Sequence, residues 1–220
     1  MEDLTVIVTT LNKLPEKWQR FYKKMILEAA DGKPIITLSK EPMDYGLNVI
    51  QTEPESLSNI YFQILKGARL AKTKYVGVAE DDTVYPPSHF NFRPPLDTFA
   101  FNRTRWVILT WKPSFYFYKP RSGNCVMIAP REELIDAMEE RFAKYSVLPV
   151  TLEPASPNER RLGFKKRKHM KFHTIEPVVN LNHIYSHNPL EQRKKKKPKP
   201  IRAYDIPYWG KVENIIKHYE

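Results

Sequence analysis

The chain has 220 residues, 41% hydrophobic and 12% aromatic, with a formal net charge of +11. That size and composition describe one globular domain with a full core and exclude a disordered chain. No run approaches the roughly 18 consecutive apolar residues of a membrane-spanning helix.

Leu4 to Thr10 is β-branched and reads as a strand ending in hydroxyls. Pro15 opens a helix whose apolar residues Trp18, Phe21, Tyr22, Met25, Ile26 and Ala29 share one face, and Asp31-Gly32 ends it. Short strands are predicted over 34–38 and 47–51, and Ser56 or Ser58 caps a second helix carrying Leu57, Ile60, Ile64, Leu65 and Ala68. Tyr75 to Ala79 is a further buried strand. Strands alternating with helices predict an α/β fold with a mostly parallel sheet and helices on both sides. Beyond residue 82 come Pro-punctuated loops and aromatic-rich β segments at 98–101, 106–111, 114–118 and 124–128, a mixed or antiparallel extension. Pro130 opens a third helix with Leu134, Ile135, Met138 and Phe142 inward. From about Ser146 the chain is Pro-rich and basic with little periodicity, and a short helix is expected within 208–219.

The triplet Glu80-Asp81-Asp82 directly follows the strand at 75–79. The carboxyl ends of strands in an open α/β sheet are where ligands bind. Three adjacent acids repel one another unless a positive charge neutralises them, and a divalent cation preferring oxygen ligands does so. The alternative is a solvated turn capping the next helix. Cys125 lies in the apolar run 124–128 and reads as a buried structural thiol, which fits a reducing compartment. With the acidic start Met1-Glu2-Asp3 in place of a secretory leader, a cytoplasmic location is expected, in a cell or an infected host.

The charge is uneven. Residues 160–202 carry 14 Lys/Arg against two acids, and the remainder is close to neutral. Such a region is an electrostatic footprint for a polyanion, nucleic acid above all, or a solvated surface.

The α/β half, the acidic triplet and the mixed half after it resemble the GT-A glycosyltransferases. The string Val78 to Phe90, with Tyr85-Pro86-Pro87 and His89-Phe90 after the acids, is similar to a group of small viral and metagenomic glycosyltransferases. Some of that group modify hydroxymethylated pyrimidines such as 5-hydroxymethylcytosine in DNA, bacteriophage DNA included. The resemblance implies a single catalytic domain over 1–190, with a donor half to about 90 and an acceptor half beyond it. Residues 191–220 then form a basic linker and C-terminal helix. It implies sugar transfer from a nucleotide sugar, a UDP-sugar, with Mn²⁺ or Mg²⁺. Glu80 stands where the family motif begins with Asp.

By the same resemblance Asp82 ligates the metal, with Glu80 beside it. His183 is the late histidine ligand, with His187 as its rival. An imidazole ligand favours Mn²⁺ over Mg²⁺. Thr9, Thr10 and Asn12 take the base and ribose, unless they merely cap the helix at Pro15. Ser58, Asn59 and Asp81 also face the donor. An inverting transferase needs a base for the acceptor hydroxyl. Glu153 is favoured because it follows 146–150, read as a strand or its edge, whereas Glu159 beside Arg160 and Arg161 reads as a salt-bridged carboxylate. Arg160, Arg161, Lys165, Lys166, Arg167, Lys168, Lys194 and Lys195 are expected to contact acceptor DNA through its phosphates. A glycan, lipid or protein acceptor, and a non-enzymatic nucleic-acid-binding module, are the competing readings. The sequence is silent on oligomeric state.

Overall fold

Side-chain alternation along the first strand, β1 (Leu4–Thr9), sets the architecture: Leu4, Val6 and Val8 enter one apolar core and Ile7 enters another. The computed structural model describes residues 3–117, 122–145, 154–155, 159–186 and 201–220. Helix α1 (Glu16–Ala30) begins directly after Pro15 and buries Trp18, Tyr22, Ile26 and Ala29 in the first core. Asp31 ends it in the left-handed region at φ 49°. β2 (Ile35–Ser39) and β3 (Leu47–Ile50) follow. Ser56 then caps α2 (Leu57–Leu70), its hydroxyl accepting the Asn59 N–H at 3.0 Å. Tyr61, Ile64, Leu65 and Ala68 of α2 fill the second core. Gly67 lets this helix lie close on β1, since a Cβ there would stand 2.6 Å from Ile7 Cγ2.

β4 (Tyr75–Glu80) ends on the first acid of the triplet, and β5 (Thr83–Val84) starts just after the last. A 3-10 turn at Pro87–Asn91 carries His89 and Phe90 into the interior. β6 (Thr98–Asn102), β7 (Arg105–Leu109), β8 (Lys112–Phe117) and β9 (Met127–Pro130) lead to α3 (Arg131–Lys144), which joins α2 on the second face. β10 (Lys168–Phe172), β11 (Val178–Asn182), β12 (Arg202–Ala203), β13 (Asp205–Ile206), β14 (Gly210–Lys211) and α4 (Glu213–Ile216) complete the described chain.

The main sheet has seven strands in the order β10-β6-β9-β4-β1-β2-β3. All its pairings are parallel except those of β9, which runs against both β4 and β6. The second sheet, β12-β8-β7-β11-β5, contributes Ile108, Phe115, Val179 and Leu181 to the core on the α1 side. Helices on both faces of a mostly parallel sheet match the expected α/β class.

Two features differ from the sequence reading. Residues 168–172, basic and weakly periodic, form the edge strand β10, pairing with β6 from Lys168↔Thr98 to Phe172↔Asn102. Only Phe172 is buried, so the apolar pattern that announces a strand is nearly absent. The exposed lysines of an edge strand oppose pairing with another sheet. Within 191–220, expected as a basic linker and C-terminal helix outside the catalytic domain, Trp209, Val212, Ile215 and Ile216 lie in the same core as β1 and α1. The Trp209 indole N–H donates to the Pro177 carbonyl at 2.7 Å.

Candidate functional site

Parallel pairing of β1 with β4 sets Thr9 opposite Glu80, so the first hydroxyls and the acids leave the sheet together. Asp81 is held from two sides. The Trp18 indole N–H donates to its carbonyl at 2.8 Å, and the Thr10 hydroxyl donates to its Oδ2. Burial, followed by the neighbouring Asp82 charge, pushes the Asp81 carboxyl up to about 7, and the Thr10 hydrogen bond and His183 offset this in part.

Asp82 faces the other way, toward β11. The antiparallel pairing Asn180↔Thr83 brings β11 alongside, and the Leu181 N–H donates to the Asp82 carbonyl at 2.6 Å. Asp82 Oδ1 accepts from the Thr83 hydroxyl at 2.8 Å and from Asn180 Nδ2 at 3.0 Å. Its other oxygen, Oδ2, lies 3.7 Å from His183 Nε2. His183 is buried, and its Nδ1 accepts the Tyr185 N–H at 3.2 Å, which leaves Nε2 as the nitrogen toward Asp82.

Asp82 and His183 can serve as two ligands of a divalent cation once the imidazole changes tautomer: with Nδ1 accepting the Tyr185 N–H the neutral ring carries its proton on Nε2, and that proton must move to Nδ1 for Nε2 to bind. A carboxylate oxygen and an imidazole nitrogen 3.7 Å apart can share one ion at ordinary bond lengths. Among the described residues no group of three His, Cys, Asp or Glu side chains converges. From the described residues a cation here has these two ligands, and oxygens of a phosphate ligand or of water can complete its shell, as in Mg²⁺ and Mn²⁺ sites on phosphate substrates. Glu80, also expected at the metal, forms no three-residue group with Asp82 and His183 among the described residues; its backbone N–H donates to the Tyr85 hydroxyl at 3.0 Å.

The residues expected at the donor divide into two groups. Thr9 and Thr10 are at the acidic loop and buried. Asn12, in the left-handed region at φ 56°, turns its amide to the loop after β2. Its Oδ1 accepts the Lys40 and Glu41 N–H groups at 2.9 and 3.1 Å, so it fastens two strand-end loops and does not cap α1. Asn59 belongs to a buried amide chain: it donates to Gln51 Oε1 at 3.5 Å and accepts from Gln63 Nε2 at 2.7 Å. Gln51 in turn reaches the Thr10 carbonyl at 3.5 Å. Ser58, beside Asn59 in the first turn of α2, is partly buried.

A cavity of about 10 Å³, room for a single water, adjoins Asp81 and is lined by Thr10, Trp18, Gln19, Tyr22, Met43 and Tyr45. The Tyr22 and Tyr45 hydroxyls are buried without a hydrogen-bond partner among the described residues. Trp18, Tyr22, Asn180 and Gln51 are site residues that the sequence reading did not single out. Asn180 carried a faint signal, as the polar member of the apolar run 178–181.

The basic residues do not act as one surface. Arg160, Arg161, Lys165, Lys166 and Lys168 are exposed. Arg167 is buried, and its guanidinium is committed to Asp136 at 2.8 Å, Glu140 at 2.7 Å and Glu133 at 3.4 Å, so phosphate contact by this side chain is excluded. Lys168 is ion-paired with Asp97. From Gly163 to Arg167 the segment runs along α3, on the face opposite α1. It does not frame the acidic loop. Glu159 is indeed salt-bridged, but to Arg141 at 2.8 Å and not to its sequence neighbours, and both side chains are buried. Cys125 is a buried thiol pushed up to about 12 by burial. Glu153, His187, Lys194 and Lys195 lie outside the described residues.

No protein-family model and no curated protein sequence matches the chain. Solved structures do. A glycosyltransferase involved in the glycosylation of the major capsid of PBCV-1 is similar at a TM-score of 0.51 and 12% identity, over 86% of this chain and 96% of that one. A Drosophila beta-1,4-galactosyltransferase 7 mutant, complexed with manganese, UDP-Gal and xylobiose, gives 0.47 and 12%, over 90% and 82%. HddC from Yersinia pseudotuberculosis gives 0.48 and 12%, over 82% and 93%. The first likeness and the sheet topology define the class: the chain is an α/β protein of GT-A-like fold. Among the described residues, no helix is long and apolar enough to cross a membrane.

Proposed function

We propose that this protein is a glycosyltransferase that moves a sugar from a nucleotide-sugar donor, a UDP-sugar, to a hydroxyl acceptor with the help of a divalent cation. One observation carries the reading: Asp82 Oδ2 and His183 Nε2 meet 3.7 Å apart beyond the carboxyl end of β4, in a GT-A-like fold. When bound there, Mn²⁺, or Mg²⁺, neutralises the diphosphate leaving group of the donor. Asn180 and Thr83 hold Asp82 Oδ1, which orients Oδ2 for the ion. Thr9, Thr10, Asp81 and Glu80 border the same loop and bind the nucleoside end of the donor. Asn12, Ser58 and Asn59 support it by fixing the loops around it. Glu153 takes the proton of the attacking hydroxyl.

For the acceptor we favour a hydroxymethylated pyrimidine in DNA, supported by the exposed Arg160, Arg161, Lys165, Lys166 and Lys168. A target base would leave the stack to reach the transfer centre. A glycan or protein acceptor is the second reading. It is favoured by the course of 163–167 along α3, away from the acidic loop, and by the capsid role of the similar viral glycosyltransferase.

One assay tests both readings. Duplex containing 5-hydroxymethylcytosine is incubated with a panel of nucleotide sugars and Mn²⁺. The expected result is a mass gain of one hexose on the DNA. Donor hydrolysis without that gain moves the acceptor to a glycan or protein. Turnover undiminished in Asp82→Ala overturns the cation-assisted reading.

A further inference from the structure

Tyr219 lies far along the chain from every residue assigned above, yet its ring stands between two parts of the candidate site. On one side is the His183 imidazole, with ring centres 6.2 Å apart at 42°. On the other is the Trp18 indole, 6.4 Å away and edge-on at 76°. Both separations fall within the range where aromatic rings attract one another. Trp18 is the residue whose N–H holds the Asp81 carbonyl at 2.8 Å.

The segment beneath Tyr219 is anchored. Ile215 and Ile216 are buried in the main core, the Tyr219 N–H donates to the Ile216 carbonyl at 2.8 Å, and His218 stacks on Phe21 of α1 at 4.1 Å and 4°. A ring so fixed can limit the orientations of the imidazole it faces. We propose that Tyr219 is a positioning residue that holds the His183 imidazole toward Asp82 and thereby tightens the two-ligand cation site. The inference rests on the cation reading of Asp82 and His183. It extends the site to a third segment of the chain, which touches neither donor nor cation.

Two measurements test it, on the full chain. The first is the order of the His183 imidazole in metal-free protein, from its side-chain carbon relaxation. Tyr219→Ala is expected to release the ring to several orientations and Tyr219→Phe to keep it ordered. The second is Mn²⁺ affinity from electron paramagnetic resonance titration, with Mn²⁺ alone and with UDP. Tyr219→Ala is expected to weaken binding by about tenfold, the low end of the effect of groups that orient a metal ligand. Tyr219→Phe should bind within about twofold of wild type, since it keeps the ring contacts. Thermal unfolding of both variants reports whether any loss is merely of folding. Wild-type binding that is lost in Asp82→Ala but intact in folded Tyr219→Ala overturns the role of Tyr219 alone. So does a His183 ring equally ordered in Tyr219→Ala. Wild-type protein that binds no Mn²⁺ under either condition overturns the cation reading and this inference together.

Discussion

Asn180 Nδ2 donates to Asp82 Oδ1 at 3.0 Å across 98 positions of sequence, and that bond decides which carboxylate oxygen is left to face His183. The same amide also reaches the Thr83 hydroxyl at 2.8 Å, so the end of β4, the start of β5 and the middle of β11 are tied at one point. Asp82→Ala is therefore expected to abolish sugar transfer and Mn²⁺-dependent nucleotide binding. Asn180→Ala, which removes one of the two hydrogen bonds on Oδ1 but leaves both ligands, should weaken Mn²⁺ binding by about tenfold. Mn²⁺ titration in the presence of UDP checks both, and an Asn180→Ala protein with wild-type affinity refutes the orienting role.

The proton-transfer assignment has its own test. Glu153→Gln should reduce transfer to a small residual rate while leaving donor and Mn²⁺ affinity unchanged, because a base acts only as the hydroxyl attacks. Single-turnover transfer together with nucleotide binding separates the two. Full turnover in Glu153→Gln would remove this residue from the mechanism.

Two buried groups give opposing pH dependences to folding. Burial pulls His89 down from 6.5 to about 3, so between those values the unfolded chain binds the extra proton. The stability linked to His89 is complete above about pH 6.5 and falls by about 1.4 kcal/mol per pH unit as the pH drops toward 3. Asp81, pushed up to about 7 from 3.8, acts in reverse. Its contribution is complete below 3.8 and lost as the pH rises through 7. In the metal-free protein the two slopes oppose each other between about pH 4 and 6.5. Relative to wild type, urea midpoints should climb with pH across that window in Asp81→Asn and decline in His89→Phe. A His89→Phe midpoint that climbs relative to wild type contradicts the assignment.

The Arg141–Glu159 pair is buried on both sides, and Glu159 also accepts the Ala155 and Arg167 N–H groups at 2.7 and 2.9 Å. Removing one partner leaves an uncompensated charge in the interior. Glu159→Ala is expected to cost about 3–5 kcal/mol of stability in urea unfolding. A loss under about 1 kcal/mol would show that the pair is dispensable.

If DNA is the acceptor, replacing Arg160, Arg161 and Lys166 by Ala together should flatten the salt dependence of binding. The log–log slope should fall by up to about 0.9 for each phosphate no longer neutralised. Arg167→Ala should act differently. It removes the cation that holds Glu133, Asp136 and Glu140 of α3, so the melting temperature drops. Fluorescence anisotropy on duplex DNA over a range of salt distinguishes the two. An unchanged slope in the triple variant favours the glycan or protein acceptor.

The sequence by itself determined the α/β frame, because hydrophobic periodicity and capping are local. The stripe Trp18, Tyr22, Ile26 and Ala29 specifies α1, Ser56 or Ser58 marks the start of α2, and the run before Glu80 specifies a buried strand ending in acid. It could also propose His183 as a partner of that acid, by resemblance. What only the tertiary structure decided are relations between distant segments. Antiparallel pairing of β5 with β11 brings Asn180 to Asp82, and nothing in either segment alone encodes that register. Edge pairing with β6 makes a strand of the basic residues 168–172, where backbone hydrogen bonds substitute for an apolar pattern. Docking of 163–167 against α3 turns Arg167 from an apparent phosphate contact into a buried ion-pair centre. Packing of Ile215 and Ile216 into the α1 core sets Tyr219 beside His183. In each case a backbone ladder, a buried ion pair or a shared apolar core joins residues that local sequence has no means of relating.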